Sequence, residues 1–498
     1  MLYIFIGTVL YVLAYPPWSY DGLAWLAAGP VFLGIRGLTQ RHGVLGAMSG
    51  GLCFAYFAAL GLVAPWAFDA ALQYSGGSGL TASSFVILLP FLASAVPVHY
   101  AILLAIPAYL PRSRLLTDRI NPLPDNDASR DEGPSTAQAA VFATAWALAE
   151  YARSATGMGN SWALLADATV GSDIGTQGFR ILGTTGLSWC MAATGALAAV
   201  AWTRRAGAGR AGAIGRALVL PAALSLAGPL TAAAPLGAGI GTGTTPDRGS
   251  VLRVGIVQGG SGGTQAWSAQ GQARAFLQYT SLSRSEPLAD ADLIVWPENA
   301  LTFVLNSDPT RTGELQALAR ELDAALIIGA PRARVDDRGH TELHISAYFF
   351  DRDGSPPRFY DKRRLLPFIE ERPDWWPLSG HGDWRNTYSA GTDLSGFRID
   401  GWHIAPLLCF ESTDGRLVGD WKHEGVDLLV NLSNDSWFGS GAGPEQHFQS
   451  GVARALGVGL PMIRASSTGI SGFVDASGRI RRIESGIAAV ALYEVTRT

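Results

Sequence analysis

Charge is scarce in this chain of 498 residues: Asp, Glu, Lys and Arg together make up only 16% of it, whereas 48% is hydrophobic. Ordinary soluble domains carry about 25% charged residues, so this composition excludes a chain that faces water along its whole length. No basic stripe accompanies the net charge of −4, and nucleic acid is not an expected partner. No paired His and carboxylate spacing marks a metal site, and no Gly-rich loop stands between a strand and a helix to hold a nucleotide, so neither metal nor cofactor is implied. Only three cysteines are present. Cys53 and Cys190 fall within long apolar stretches, where a small thiol is ordinary packing, which leaves Cys409 without a partner in its own half of the chain. In an oxidising compartment a lone thiol is a liability unless it is buried or employed.

What is present is unevenly spread. From Met1 to about residue 240, long apolar runs alternate with short polar loops; from Leu252 onward charges are frequent and apolar runs shrink to strand length. This predicts a transmembrane domain over 1–240, a linker at 241–250 rich in Gly and Thr, and a water-soluble domain over 251–498. Seven spans are expected, at Leu2 to Tyr15, Gly22 to Ile35, Gly46 to Phe68, Leu80 to Leu110, Ala139 to Tyr151, Ile181 to Trp202 and Ala217 to Ala238. Arginines cluster after the second, fourth and sixth (Arg36 and Arg41; Arg112, Arg114, Arg119 and Arg130; Arg204, Arg205, Arg210 and Arg216), whereas the alternate loops hold only Arg153 and Arg180. Positive loops stay cytoplasmic, so the second half is expected on the extracytoplasmic face. No basic region precedes the first span, which is therefore read as retained rather than cleaved.

In the second half, strands are expected at Arg253 to Gln258, Leu293 to Trp296, Ala325 to Ile328, Ile345 to Phe350, His403 to Cys409, Leu428 to Asn431 and Ala488 to Tyr493, with helices at Gln265 to Leu282, Thr312 to Asp323 and Pro444 to Leu456. Together they describe an α/β domain of layered sheets and covering helices. Three reactive side chains follow apolar runs. Glu298 leaves the run Leu293-Ile294-Val295-Trp296-Pro297, Lys362 follows Phe359-Tyr360-Asp361, and Cys409 closes Ala405-Pro406-Leu407-Leu408. A thiol needs a base to become a nucleophile, and partial burial would bring Glu298 towards a neutral pKa suited to that task. An ammonium at Lys362 would favour thiolate and support a developing oxyanion. Each also has a plainer reading, Glu298 as a solvated strand end and Lys362 as a surface lysine. Glu370 is placed to orient Lys362, and Glu411 is either a supporting group or hydrogen-bonded structure. The turn-prone run Asn431 to Gly439 is placed to wall the site. Among His403, His423 and His447, the alternative bases, His447 reads as structural.

The ordered set Pro297-Glu298-Asn299, Tyr360-Asp361-Lys362 and Cys409-Phe410-Glu411 resembles the nitrilase superfamily. That resemblance implies an αββα sandwich with a Glu-Lys-Cys triad. The run Leu365-Leu366-Pro367-Phe368 with Glu370, then Asn434-Asp435-Ser436-Trp437-Phe438-Gly439, Gly443-Pro444 and Gln446-His447-Phe448-Gln449, together with Trp267, is similar to the apolipoprotein N-acyltransferase family. The likeness implies a multi-span membrane domain before the nitrilase-like domain, a place in the bacterial inner membrane, a phospholipid acyl donor and a diacylglyceryl lipoprotein acceptor. It further implies that Trp267, Glu370, Phe410 and Glu411 serve substrate handling or site geometry. A membrane-tethered amidase or hydrolase, a nitrilase-like membrane protein of conjugal-transfer systems and a non-enzymatic scaffold stand as the other readings.

Overall fold

A computed structural model describes residues 1–74, 133–155, 161–204, 211–224 apart from 213 and 220, 251–335 apart from 261 and 263, 339–366, 370–371, 388–439 and 441–497. The expected fourth span, most of the seventh and the 241–250 linker lie outside these residues. The chain divides into two compact units, Met1–Ala234 and Pro235–Thr498.

The first unit is helical: α1 (Leu2–Leu13), α2 (Ala24–Tyr74), α3 (Thr136–Ala155) and α4 (Asp173–Thr203). Helix α2 is interrupted at Gly43 (φ +60°, ψ −145°), so that its two segments coincide with the second and third expected spans. An L side chain is disfavoured at that φ and glycine is not. Among the described residues, Asp21–Ala64 and Asp173–Thr203 are long and apolar enough to cross a bilayer. The others are shorter or less apolar. The centre of the unit is aromatic, with Phe54 and Trp146 at 5.0 Å and Phe32 and Phe142 at 5.3 Å between ring centroids.

In the second unit the chain makes two six-stranded sheets. The first contains β1 (Val251–Gln258), β2 (Leu293–Val295), β3 (Ala325–Val335), β4 (Thr341–Phe350), β5 (Arg358–Asp361) and β12 (Ala489–Thr496), in the order β12-β1-β2-β3-β4-β5. The second contains β6 (Phe397–Ile399), β7 (Trp402–Leu408), β8 (Leu428–Ser433), β9 (Met462–Ser466), β10 (Ser471–Val474) and β11 (Ile480–Ile483), in the order β11-β10-β9-β8-β7-β6. Strands β1, β2 and β3 are parallel, as are β7, β8 and β9; the remaining neighbours are antiparallel. Helices α5 (Ala269–Ser283) and α6 (Pro309–Leu322) connect the first parallel set, and α7 (Gly415–His423) and α8 (Ala442–Val458) the second. The chain thus uses one β-α-β-α-β-β plan twice. The parallel strands are buried runs of Leu, Ile and Val because both of their faces are covered. On the outer face of the first sheet, Phe276 and Tyr279 of α5 and Leu315 and Leu318 of α6 join Ile294, Trp296, Leu326 and Ile328 in one core. The inner faces meet through Phe349 and Phe397, stacked at 5.1 Å, and Phe473 and Tyr493 at 5.6 Å.

Several boundaries differ from expectation. β3 runs on through Pro331 and Arg332 to Val335, because Arg332 is neutralised by an ion pair with Asp361. β7 stops at Leu408, and Cys409 opens a 3-10 turn instead of ending the strand. The first expected helix is two elements, a 3-10 turn Thr264–Trp267 and then α5, whose Ser268 cap accepts from Gly271 N–H.

Candidate active site

The reactive groups collect at the carboxyl ends of the parallel strands β2, β7 and β8 and of the antiparallel edge strand β5. Glu298 lies three residues past β2 and is buried. Its exit path is packed against β3: a Cβ added at Gly329 would fall 2.3 Å from Pro297 O and 2.5 Å from Glu298 Cα, so only glycine allows the approach. Lys362 follows β5 and is wholly buried; its Nζ donates to Glu298 Oε1 at 3.0 Å and to Glu370 Oε1 at 2.6 Å. Glu298 Oε2 accepts from Asn434 N–H at 3.1 Å, and Glu370 Oε2 from Leu366 N–H at 2.8 Å.

Electrostatics follow from this burial. Loss of solvent raises the Glu298 carboxyl to about 7, opposed by Lys362 and reinforced by the charge of Glu370. Burial works against charge on Lys362, but Glu298 and Glu370 outweigh it and hold its ammonium well above the usual lysine range. Cys409 is 3% exposed. Burial pushes its thiol up, Glu298 adds to that, and Lys362 pulls it back. A thiol so placed reacts only where a neighbour takes its proton, and Glu298 is a nearby carboxyl raised to about 7. Cys409 also sits at φ +52°, a left-handed conformation that costs energy for a residue with a side chain and is retained only where surrounding bonds impose it.

Glu411 supplies some of those bonds. Its buried carboxylate accepts from Leu408 N–H at 2.8 Å, from Arg363 and Arg364 N–H at 2.7 and 3.0 Å, and from Tyr360 Oη at 3.0 Å. One side chain therefore joins both flanks of Lys362 to the residue before Cys409. Glu411→Ala would strand three amide donors and a phenol, each costing about 1–3 kcal/mol when left buried and unpaired. The expected result is a melting temperature lowered by about 10 °C in detergent. A melting temperature unchanged in that variant would show that water replaces the clamp.

Of the other expected residues, Glu370 joins the cluster, and Phe410 follows Cys409 half-buried. Trp267 is 42% exposed at the end of its 3-10 turn, and among the described residues no hydrogen bond links its side chain to Cys409.

Sequence reasoning placed Asn431 and Asp435 in a run walling the site without giving either a role of its own, and it passed over Arg464. Cys409 Sγ, an Asp435 carboxylate oxygen and a His447 nitrogen lie within 4.8 Å of one another, a spacing that suits a metal ion. The donor set does not. Asp435 Oδ1 is engaged by His447 Nδ1 and Ser433 Oγ, both at 2.8 Å, and Oδ2 by Arg464 Nη2 at 2.8 Å and Ser466 Oγ at 3.1 Å. A dication would have to displace a guanidinium and share its space with the charge. The signal that could have found this cluster is Arg464 itself, a charge within the apolar strand β9 that demands a buried partner.

Comparison with known proteins finds likenesses to separate parts of the chain. The carbon-nitrogen hydrolase family profile matches residues 253–485, and the profile of the apolipoprotein N-acyltransferase N-terminal domain matches residues 7–197. An apolipoprotein N-acyltransferase of Geobacter metallireducens is 32% identical over 244 residues, 47% of this chain and 46% of that protein. One from Bradyrhizobium diazoefficiens is 36% identical over 205 residues, 39% of this chain and 38% of that protein. The chain thus spans less than half the length of these relatives in alignment. An amidase of Nesterenkonia sp. superposes with a TM-score of 0.37 at 15% identity, over 49% of this chain and 90% of the amidase.

Proposed function

The chain belongs to the apolipoprotein N-acyltransferase family within the nitrilase superfamily, and on that footing we propose that it transfers an acyl chain from a membrane phospholipid to the N-terminal cysteine of a lipoprotein. The observation that carries the reading is a single buried ammonium, Lys362, shared by Glu298 and Glu370 and interacting electrostatically with the Cys409 thiol. Glu298, Lys362 and Cys409 are the catalytic triad in this scheme.

In the first half-reaction Cys409 Sγ attacks the ester carbonyl of the donor while Glu298 takes the thiol proton. A C–S bond forms, the ester C–O bond breaks, and Glu298 returns the proton to the departing lysophospholipid oxygen. Lys362 supports the oxyanion between these events. In the second, the α-amine of a diacylglyceryl-cysteine attacks the thioester; a C–N bond forms, the C–S bond breaks, and the amine proton passes through Glu298 to sulfur. Trp267, Phe410, Glu370 and Glu411 hold substrate or site geometry. The helical unit spans the bacterial inner membrane several times, and the arginine bias of its loops supports an extracytoplasmic catalytic unit. Such anchoring suits substrates whose chains would cost about 0.8 kcal/mol per methylene to expose to water.

The test uses the full chain in detergent with a phospholipid labelled in its acyl chains. Label should appear on the Cys409 peptide, be released by neutral hydroxylamine as expected of a thioester, and pass to the amine of a diacylated lipopeptide when one is added. Label recovered only as free fatty acid in the presence of lipopeptide would overturn acyl transfer in favour of hydrolysis.

A further inference from the structure

The left-handed turn at Cys409 is held from behind by a buried network. Asn431 Nδ2 donates to Cys409 O and to Leu407 O, both at 3.2 Å. An amide can do this only if its oxygen faces the other way, and Asn431 Oδ1 accepts a short hydrogen bond from Arg464 Nη1. The other arm of the same guanidinium, Nη2, donates to Asp435 Oδ2 at 2.8 Å and to Ser433 Oγ at 3.1 Å. Asn431 on β8, Arg464 on β9 and Asp435 in the loop after β8 are all fully buried, and a Cβ added at Gly469 would fall 2.0 Å from Asp435 Oδ2. The packing leaves the fork one orientation.

We propose that Arg464 is a positioning residue for the nucleophile: it locks the Asn431 amide that pins the Cys409 carbonyl, and it cancels the charge of Asp435 beside the thiol. The first part is geometric, the second electrostatic, and they separate by substitution. Among the described residues, the charged and titratable groups that face Cys409 are Glu298 beyond β2, Lys362 and Glu370 beyond β5, Asp435 beyond β8 and His447 on α8. Asp435 disfavours the thiolate, and the Arg464 charge holds the Asp435 carboxyl ionised well below the usual range while offsetting its field. Lysine keeps that charge but, as a point donor, does not reproduce the fork that spans two partners.

This inference rests on the proposed acyl transfer only for one of its two readouts. The readouts are the single-turnover rate of thioester formation with labelled phospholipid, and the rate at pH 8 at which iodoacetamide labels the Cys409 peptide, followed by mass spectrometry with no lipid donor present. Arg464→Met should slow both, thioester formation by roughly 10- to 100-fold and alkylation by about tenfold, with the phospholipid KM unchanged. Asn431→Leu should slow thioester formation alone. Arg464→Lys should restore alkylation to within about twofold of wild type and leave thioester formation slow. Should Arg464→Met fail to fold, Arg464→Lys and Asn431→Leu decide the matter together: both should alkylate at close to the wild-type rate and form thioester slowly, and wild-type thioester formation in either would overturn the positioning role. Variants that alter only melting temperature or KM, with both rates at wild-type values, would overturn the assignment. A wild-type chain that alkylates at Cys409 yet forms no thioester would overturn the acyl-transfer reading, while the alkylation contrast would still decide the charge claim for Arg464.

Discussion

Replacing Lys362 by methionine is expected to abolish acyl-enzyme formation and to lower the melting temperature by about 10 °C or more. The side chain has no exposure, and its Nζ is the shared partner of Glu298 Oε1 and Glu370 Oε1. Removing it leaves two carboxylates aimed at one apolar point, and breaking a buried ion pair from one side costs about 3–5 kcal/mol. The pH dependence has a definite sign. Lys362 is raised above its ordinary value, so the stability it contributes is complete below that value and is lost only as pH climbs through its elevated one. The variant lacks this alkaline loss. Acid should narrow its deficit, because a proton on either carboxyl relieves the repulsion. Thermal melts of both proteins between pH 5 and 10 check this, and a variant melting with wild type at pH 8 would contradict the buried pair.

Glu298→Gln should reduce the rate of thioester formation by about 10²–10⁴-fold while leaving the fold intact. In the wild type, Glu298 must be unprotonated to accept the thiol proton, so this rate should rise with pH through about 7 and level above it. Glutamine carries no such transition, and the rise should vanish. Stability runs the opposite way. A carboxyl raised from 4.5 to about 7 contributes fully below 4.5, and that contribution is lost as pH rises through 7. The melting temperature of the glutamine variant should therefore improve relative to wild type between pH 5 and 8. A single-turnover profile that stays flat across pH 6 to 8 in the wild type would remove Glu298 from the role of base.

How much of this could be read from sequence depended on whether a residue stood at an edge or inside an element. Glu298, Lys362 and Cys409 each follow an apolar run, and the runs Leu293-Ile294-Val295 and Ala405 to Leu408 are strands. Glu370 was legible through its distance from Lys362. Asn431 was legible only as part of a wall, and Arg464 was not legible, because both occupy strand interiors in the structure and their meaning lies in partners 22 and 33 residues away. Strands β5, β6, β9, β10 and β11 were missed because each is short; all but β10, which holds a glycine instead, also carry arginine, such as Arg358 over Phe349 at 4.5 Å, a charge made tolerable by an aromatic face that the sequence does not reveal. Helix α7 was overlooked because Gly415 opens it and only nine residues follow the plan. In the first unit, the helix kinked at Gly43 is continuous where the pattern separates two runs, and the helix kinked at Gly183 begins at Asp173, ahead of the run expected from Ile181.

Glu298 and Lys362 hang from one hydrogen-bonded ladder, Cys409 and Asn434 from another, and the polypeptide crosses between the two only once on its way from Lys362 to Cys409. A gene cut between Gly391 and Phe397 would put Glu298 and Lys362 on one polypeptide and Cys409 on a second, and β12, the neighbour of β1, would travel with the sulfur. On the proposed scheme, neither fragment alone should form a thioester.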